Sequence, residues 1–356
     1  MIRRPPRSTL DRSSAASDVY KRQNLSVRSD RDRTDPLARP PGQRQDRPRH
    51  VLKQQVTASD FSPPVQTVDL SMDDGAIIRV RRHSEGKQRL LFSHGNGFAI
   101  DAYYPLWRLF LDNYEVLVFD VRNHGQNPRH ELASHHIDRF VLDFETIFAR
   151  IPEDFGAKPT VAIFHSISAI TGLLQNLKYG QRWDALLAVD PPVIPEPGHT
   201  LYQRAHTFEL KLRDWAAGRP QQFSSPNELT QTLMNMKRLN RWQNGSHKLM
   251  AAATLVQNST GWELACPGTY ESQIYDGNAK LNIWTQLTEL TGPVRFLGAD
   301  PEIEGAWPPA FVNWAIYTEL GLPYSCITET THMMQIERPK AVADELMRFI
   351  HDTGIA

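Results

Sequence analysis

The chain reads as an α/β protein built on a doubly wound, mostly parallel sheet. Three observations predict this. Six short apolar runs, RLLFSH (89–94), EVLVFD (115–120), TVAIFH (160–165), ALLAVD (185–190), PVRFLG (293–298) and YSCITE (324–329), have the continuous hydrophobicity of strands buried on both faces. Segments with helical apolar spacing separate them, and strand alternating with helix is the pattern of parallel sheets with right-handed crossovers. One interval, 191–292, carries helical patterns but no clear strand, which predicts a helical cap inserted into the sheet.

In chain order, residues 1–50 hold 13 Lys and Arg against 6 Asp and Glu, with six prolines and no apolar period. A segment of this composition cannot bury enough surface to order itself, so a disordered basic tail is expected over 1–55. The stretch IRRPPRSTLDRSSAASDVYKRQ also resembles the translated remnant of a sequencing adapter fused to a reading frame from environmental DNA, which would make the tail non-native. Met72 falls inside the first expected strand and is a poor alternative start. Without the tail the balance is 27 against 34, so the formal net charge of zero hides a mildly acidic domain. Nucleic-acid binding is not expected, because Tyr20 is the only aromatic in the basic segment and base stacking needs more. No run of eighteen apolar residues exists, so no membrane span is expected, and the apolar stretch of a secretory signal is missing. Cys266 and Cys326 match no zinc or redox spacing, which suits a cytoplasmic, reducing setting.

VQTVDLSMDDGAIIRVRR predicts a β-hairpin turning at Asp73-Asp74-Gly75. Between the later strands, Tyr104, Leu106, Trp107 and Phe110 give one apolar face, and Ile137, Phe140, Val141, Phe144, Ile147 and Phe148 follow helical spacing closely. Within the interval, Leu201/Ala205/Phe208/Leu212/Trp215 and Leu229/Leu233/Met236/Leu239 predict two helices. The expected division is therefore a core over 56–190 and 293–356 with a cap over 191–292.

Ser166 stands between strand TVAIFH and a helix carrying Ile167, Ile170, Leu173, Leu174 and Leu177, with Gly180 as its stop. A serine at such a turn projects its hydroxyl above the sheet edge, in front of a helix N-terminus that favours negative charge; the same position also suits a helix N-cap. His332 follows the last strand, where it can reach over the carboxyl ends at which open α/β sheets bind ligands. Asp300, in GADPE after strand PVRFLG, can orient that imidazole, with Glu302 as the fallback acid; Asp190, one strand earlier, ranks behind both.

Taken together, these segments resemble the α/β-hydrolase superfamily, of the lid-bearing serine esterase and lipase type, over residues 60–356. HGNGF (94–98) resembles the oxyanion loop, DVRNHGQ (120–126) the turn after the next strand, FHSIS (164–168) the nucleophile elbow, and THMMQIERP the histidine segment, in the family order Ser166, Asp300, His332. The resemblance implies a small-molecule acyl ester as substrate, no cofactor and no metal. Hydrolysis would run through an acyl-enzyme, with Ser166 as nucleophile and His332 as base. The oxyanion would be held by the N–H of Ile167 and a second N–H from Asn96 or Gly97. His94 would shape the loop. The cap aromatics, among them Phe208, Trp215, Trp242, Tyr275 and Trp284, could wall an acyl pocket, with only a few at the ligand and most building the core of the cap. A carbon–carbon bond hydrolase or acyltransferase could use the same residues, and a catalytically silent ligand-binding protein is the alternative from another class. One departure stands out: Phe164 and Ser168 replace the two small residues that normally let strand and helix approach at the elbow. Phe164 must fill a gap or alter the turn.

Overall fold

The structure, a computed structural model, describes residues 63–355. The tail expected over 1–55, and with it the adapter-like stretch, lies outside the described residues.

An eight-stranded sheet forms the core, in the order β1-β2-β4-β3-β5-β6-β10-β11. Strands β1 (Gln66–Ser71) and β2 (Ile77–Arg82) make the expected antiparallel hairpin, in register Val68 to Val80. Its turn closes where Gly75 takes a positive φ of 86°. The remaining strands run parallel to one another: β3 (Arg89–Ser93), β4 (Glu115–Phe119), β5 (Thr160–His165), β6 (Ala185–Val189), β10 (Val294–Ala299) and β11 (Tyr324–Ile327).

Each apolar run except the last is continuous because its two sides enter different cores; β11, at the sheet edge, is only half-buried over Tyr324, Ser325 and Cys326, against the expectation of a strand buried on both faces. Leu91, Leu117, Phe119, Ala162, Phe164, Leu186 and Phe296 join the cluster under α1 (Ile137–Phe155) and α2 (Ile167–Tyr179). Their neighbours Leu90, Phe92, Val116, Val118, Ile163, Leu187 and Leu297 join the opposite cluster, which carries Trp107 and the last helix, Pro339–Thr353. Burying one such side chain contributes roughly 1.5–3 kcal/mol, so slipping a strand by one residue would exchange two full sets of contacts. The switch point falls at β3, flanked by β4 on one side and β5 on the other, so the loops leaving β3 and β5 lie side by side.

The segment between β6 and β10 is not purely helical. It holds α3 (Tyr202–Gly218), α4 (Pro226–Met234), α5 (Ser246–Thr254) and α6 (Gly268–Ala279), together with a small antiparallel sheet, order β7-β9-β8, formed by β7 (Gln222–Phe223), β8 (Leu255–Asn258) and β9 (Gly261–Leu264). The expectation of no strand there is corrected. These strands run two to four residues, too short to show a period, and are held by the insertion's own cluster of Phe223, Leu229, Ala251, Leu255 and Leu264. The second expected helix stops at Met234, and Leu239 sits in a separate 3-10 turn. Beyond β10 lie α7 (Pro308–Leu320), a single helical turn over Met334–Glu337, and α8 (Pro339–Thr353).

Candidate active site

Ser166 sits at the carboxyl end of β5 with φ 56° and ψ −116°, a conformation that non-glycine residues rarely adopt and that a strained functional turn retains. The turn is held on both sides. The N–H of Ser166 donates to the Val189 carbonyl of β6 (2.9 Å), and its own carbonyl accepts from Ile170 (3.0 Å). The Ser168 hydroxyl donates to the His165 carbonyl and accepts from the His165 N–H, both at 2.9 Å, so the serine in place of the second small residue braces the turn.

Phe164 fills a gap. Its ring is fully buried and meets Phe119, Phe144 and Trp183 edge to face at 5.9, 5.1 and 5.9 Å. Room for it comes from Gly172, on the facing turn of α2, where a Cβ would stand 2.9 Å from Phe164 Cδ2. The small residue missing from the strand has its counterpart on the helix.

His332 Nε2 lies 3.0 Å from Ser166 Oγ. Its Nδ1 lies 2.7 Å from Asp190 Oδ2, and this corrects the expectation for the acid. Asp190 leaves β6 with a φ of 43° and is wholly buried; its other oxygen accepts from the Ala299 N–H (3.2 Å) and from Asn313 Nδ2 on α7 (3.1 Å). Asp300 is occupied elsewhere: one oxygen accepts from the Glu302 N–H (2.9 Å), the other from the Glu329 N–H (2.7 Å). It staples two loops together. Glu302 is exposed and, among the described residues, its carboxylate makes no contact with His332. Because Asp190 precedes the insertion, the insertion follows the strand that supplies this acid instead of preceding it.

The loop HGNGF lies directly against the elbow, since a Cβ on Gly95 would come within 3.1 Å of Ser166 Cβ. Ile167, the first residue of α2, has no intrahelical acceptor for its N–H. Gly97 does not match its expected role: its N–H is already donated to His124 Nε2 at 3.0 Å. Among the described residues the Asn96 N–H donates to no acceptor, while the Asn96 side chain anchors to the Glu271 carbonyl on α6 (2.9 Å). His94 spans the loop, Nδ1 to the Gly95 carbonyl (2.8 Å) and Nε2 accepting from the Val121 N–H (3.1 Å).

The sequence reading passed over His165 and Tyr103, which tie the three site loops together. The Gly95 N–H donates to the Tyr103 hydroxyl (3.1 Å), that hydroxyl lies 2.8 Å from His165 Nδ1, and His165 Nε2 lies 3.0 Å from the His332 carbonyl. Donor and acceptor roles are consistent when His165 carries its proton on Nε2 and Tyr103 donates to Nδ1. Burial, then the neighbouring His332, holds the His165 imidazole well below its usual range, so it stays neutral. The only sequence signal was a histidine between strand and nucleophile, a position with many other uses.

His124, His135 and Cys266 place one possible metal-ligand atom each within 4.8 Å of one another. Their hydrogen bonds oppose coordination. His124 donates from Nδ1 to the Arg122 carbonyl (2.9 Å) and accepts at Nε2 from Gly97, and His135 Nδ1 accepts from Asn123 Nδ2 (3.0 Å), which leaves its proton on Nε2. The cluster fits a packed polar layer beneath the loop.

Above the Ser166 and His332 pair lies a cavity of about 420 Å³ between the sheet and the insertion. Of the cap aromatics, Phe208, Trp215 and Tyr275 line it, together with Leu212 of α3, whose buried positions include Ala205, Glu209 and Ala216. Trp242 and Trp284 do sit in cores. Trp307 stacks on His332, ring centroids 5.4 Å apart and 19° between planes.

A family model described as the alpha/beta hydrolase family matches residues 90–345. No curated protein matches the sequence. Among solved structures, an E-2-(acetamidomethylene)succinate hydrolase is similar at a TM-score of 0.65 and 16% identity, over 80% of this chain and 100% of its own. A thioesterase domain from the curacin biosynthetic pathway is similar at 0.59 and 15%, over 79% and 98%, and a thermophilic esterase from Thermogutta terrifontis at 0.55 and 14%, over 81% and 99%. At these identities the likeness is one of fold.

Proposed function

Because the chain belongs to the alpha/beta hydrolase family, we propose that it is a serine hydrolase cleaving carboxylic esters through an acyl-enzyme, with Ser166 as nucleophile, His332 as base and Asp190 as acid. One observation carries this reading: the continuous chain from Ser166 Oγ through His332 to Asp190, at 3.0 and 2.7 Å. His332 Nε2 takes the Ser166 proton as Oγ attacks the acyl carbonyl, and later returns it to the leaving alkoxide. Asp190 holds the proton on Nδ1, so that Nε2 presents its lone pair to the serine, and it stabilises the imidazolium that forms. The oxyanion is held by the N–H groups of Ile167 and Asn96, the two donors beside the hydroxyl without a partner of their own among the described residues. Water, entering from the cavity, releases the acid by the same proton path in reverse.

The silent-binding alternative rested on Phe164. With that ring seated against Gly172, Ser166 keeps the strained turn, and the hydrolytic reading is the stronger one. Among the described residues no helix is long and apolar enough to cross a membrane, and a small-molecule ester suits the cavity.

A fluorophosphonate probe tests the nucleophile. Wild type is expected to label, and Ser166→Ala to lose both labelling and turnover of p-nitrophenyl esters, the latter by on the order of a millionfold in kcat. Labelling that persists in Ser166→Ala would contradict the assignment.

A further inference from the structure

The wall that the insertion contributes to the cavity carries two guanidinium groups on one indole. Arg219 lies 5.2 Å and Arg238 4.6 Å from the Trp215 ring centroid. They differ in their partners. Arg219 is paired with the buried Glu271 carboxylate at 2.8 Å. Arg238, at the rim of the same cavity, has only the Met236 sulfur at 3.8 Å, and among the described residues no carboxylate lies within ion-pair distance of it. The other acids lining the cavity do not supply the missing charge. Asp214 turns to Arg213 at 2.8 Å. Glu209 is buried, and burial pushes its carboxyl up to about 8, so it is uncharged at neutral pH.

One positive charge is therefore left over in a cavity whose remaining surface is mainly apolar. Its position matters. Arg238 also lies 6.0 Å from the Trp307 ring centroid, and Trp307 is the ring stacked on His332, so a single indole separates the guanidinium from the imidazole.

We propose that Arg238 is the carboxylate-binding residue of this cavity, and that the substrate is an acyl ester bearing a second, remote carboxylate, such as the half-ester of a dicarboxylic acid. A planar guanidinium held over an indole offers a pair of N–H donors, which matches a carboxylate in bidentate geometry. Arg238 is exposed at the cavity rim and is drawn only at longer range toward the buried Glu271, so a substrate carboxylate reaching the rim would be its direct ion-pair partner. The inference rests on the serine hydrolase reading for its chemistry, but the anion site itself stands on the arrangement of the two arginines.

The test compares kcat/KM for p-nitrophenyl half-esters of dicarboxylic acids of rising length with p-nitrophenyl esters of monocarboxylic acids of matching length. Wild type is expected to favour the half-ester at least about tenfold at the best length, mainly through KM. Arg238→Gln should bring the ratio close to one, while Lys237→Gln, which removes a neighbouring surface charge, should leave it unchanged. A wild-type ratio of one at every length, or a preference that survives Arg238→Gln, would overturn the proposal. If no ester is turned over and the fluorophosphonate does not label Ser166, the hydrolase reading fails separately. Binding of a free dicarboxylate, followed by tryptophan fluorescence in wild type and Arg238→Gln, then decides the anion site: loss of binding in the variant supports it, and no binding to wild type overturns it.

Discussion

Two neighbouring strands, β6 and β10, end on the same edge of the sheet, each on a buried aspartate, and the two carboxylates do different work. Asp190, after β6, aims one oxygen at His332 and fixes the other with donors from β10 and α7. Asp300, after β10, spends both oxygens on backbone N–H groups of the loops around it. Residue type, strand position and burial are shared; what separates them is where the remaining hydrogen bonds lie. A carboxylate whose lone pairs are taken by its own loops organises structure, and one left with a free oxygen facing an imidazole can organise catalysis.

The contrast can be broken first by replacing each acid. Asp190→Asn should lower kcat/KM by about 10⁴, because an amide leaves the imidazole in the wrong tautomer. Asp300→Asn should stay within about tenfold in kcat/KM while losing roughly 1–3 kcal/mol of stability in urea melts, since one buried N–H loses its acceptor. A smaller effect is expected at the elbow. Gly172→Ala should destabilise by about 1–2 kcal/mol, as crowding against Phe164 exceeds the gain in helix propensity, and should slow fluorophosphonate labelling. The same change in a Phe164→Leu background should be neutral or stabilising, and an equal cost in both backgrounds would show that the ring is not what fills the gap.

A further contrast separates sheet from insertion by pH. Burial keeps His124, His135 and His165 neutral in the fold, with His124 pushed down to about 3. Near pH 6.5 the unfolded imidazoles begin to bind protons that the folded ones do not, so stability should fall as pH drops below about 6.5. Glu209 behaves oppositely. Pushed by burial up to about 8 from the ordinary carboxyl value near 4.5, it is protonated in the fold and ionised in the unfolded chain, so its contribution is present at low pH and lost as pH rises toward 8. Urea midpoints should therefore decline on both sides of about pH 6.5, and Glu209→Gln should remove the alkaline decline alone. An alkaline decline unchanged by Glu209→Gln would contradict the buried, protonated state.

The sheet was legible because strands buried on both faces leave an unbroken apolar run, and the elbow because a serine between such a run and a helical pattern has few other readings. The structure brings Ser166 and His332, read from separate segments, within 3.0 Å of each other. Asp190 was not legible as the acid, since two aspartates at adjacent strand ends look alike until the hydrogen bonds of Asn313, Glu302 and Glu329 are known, and these come from elements far apart in sequence. Gly97 was misread for a related reason: its spacing suits an oxyanion donor, but His124, 27 residues away, takes its N–H. In the insertion, β7, β8 and β9 are too short to carry a period, and the stripe Phe208, Leu212, Trp215 signals an apolar face without saying whether that face meets protein or a cavity.

The central claim is that His332 is held by Asp190 and not by Asp300. The most direct measurement is the far-downfield proton resonance of the His332 Nδ1–H, followed by NMR in wild type, Asp190→Asn and Asp300→Asn, each on a Ser166→Ala background. The resonance should be present in wild type and in Asp300→Asn and absent from its downfield position in Asp190→Asn. A resonance that survives Asp190→Asn and disappears in Asp300→Asn would contradict the account.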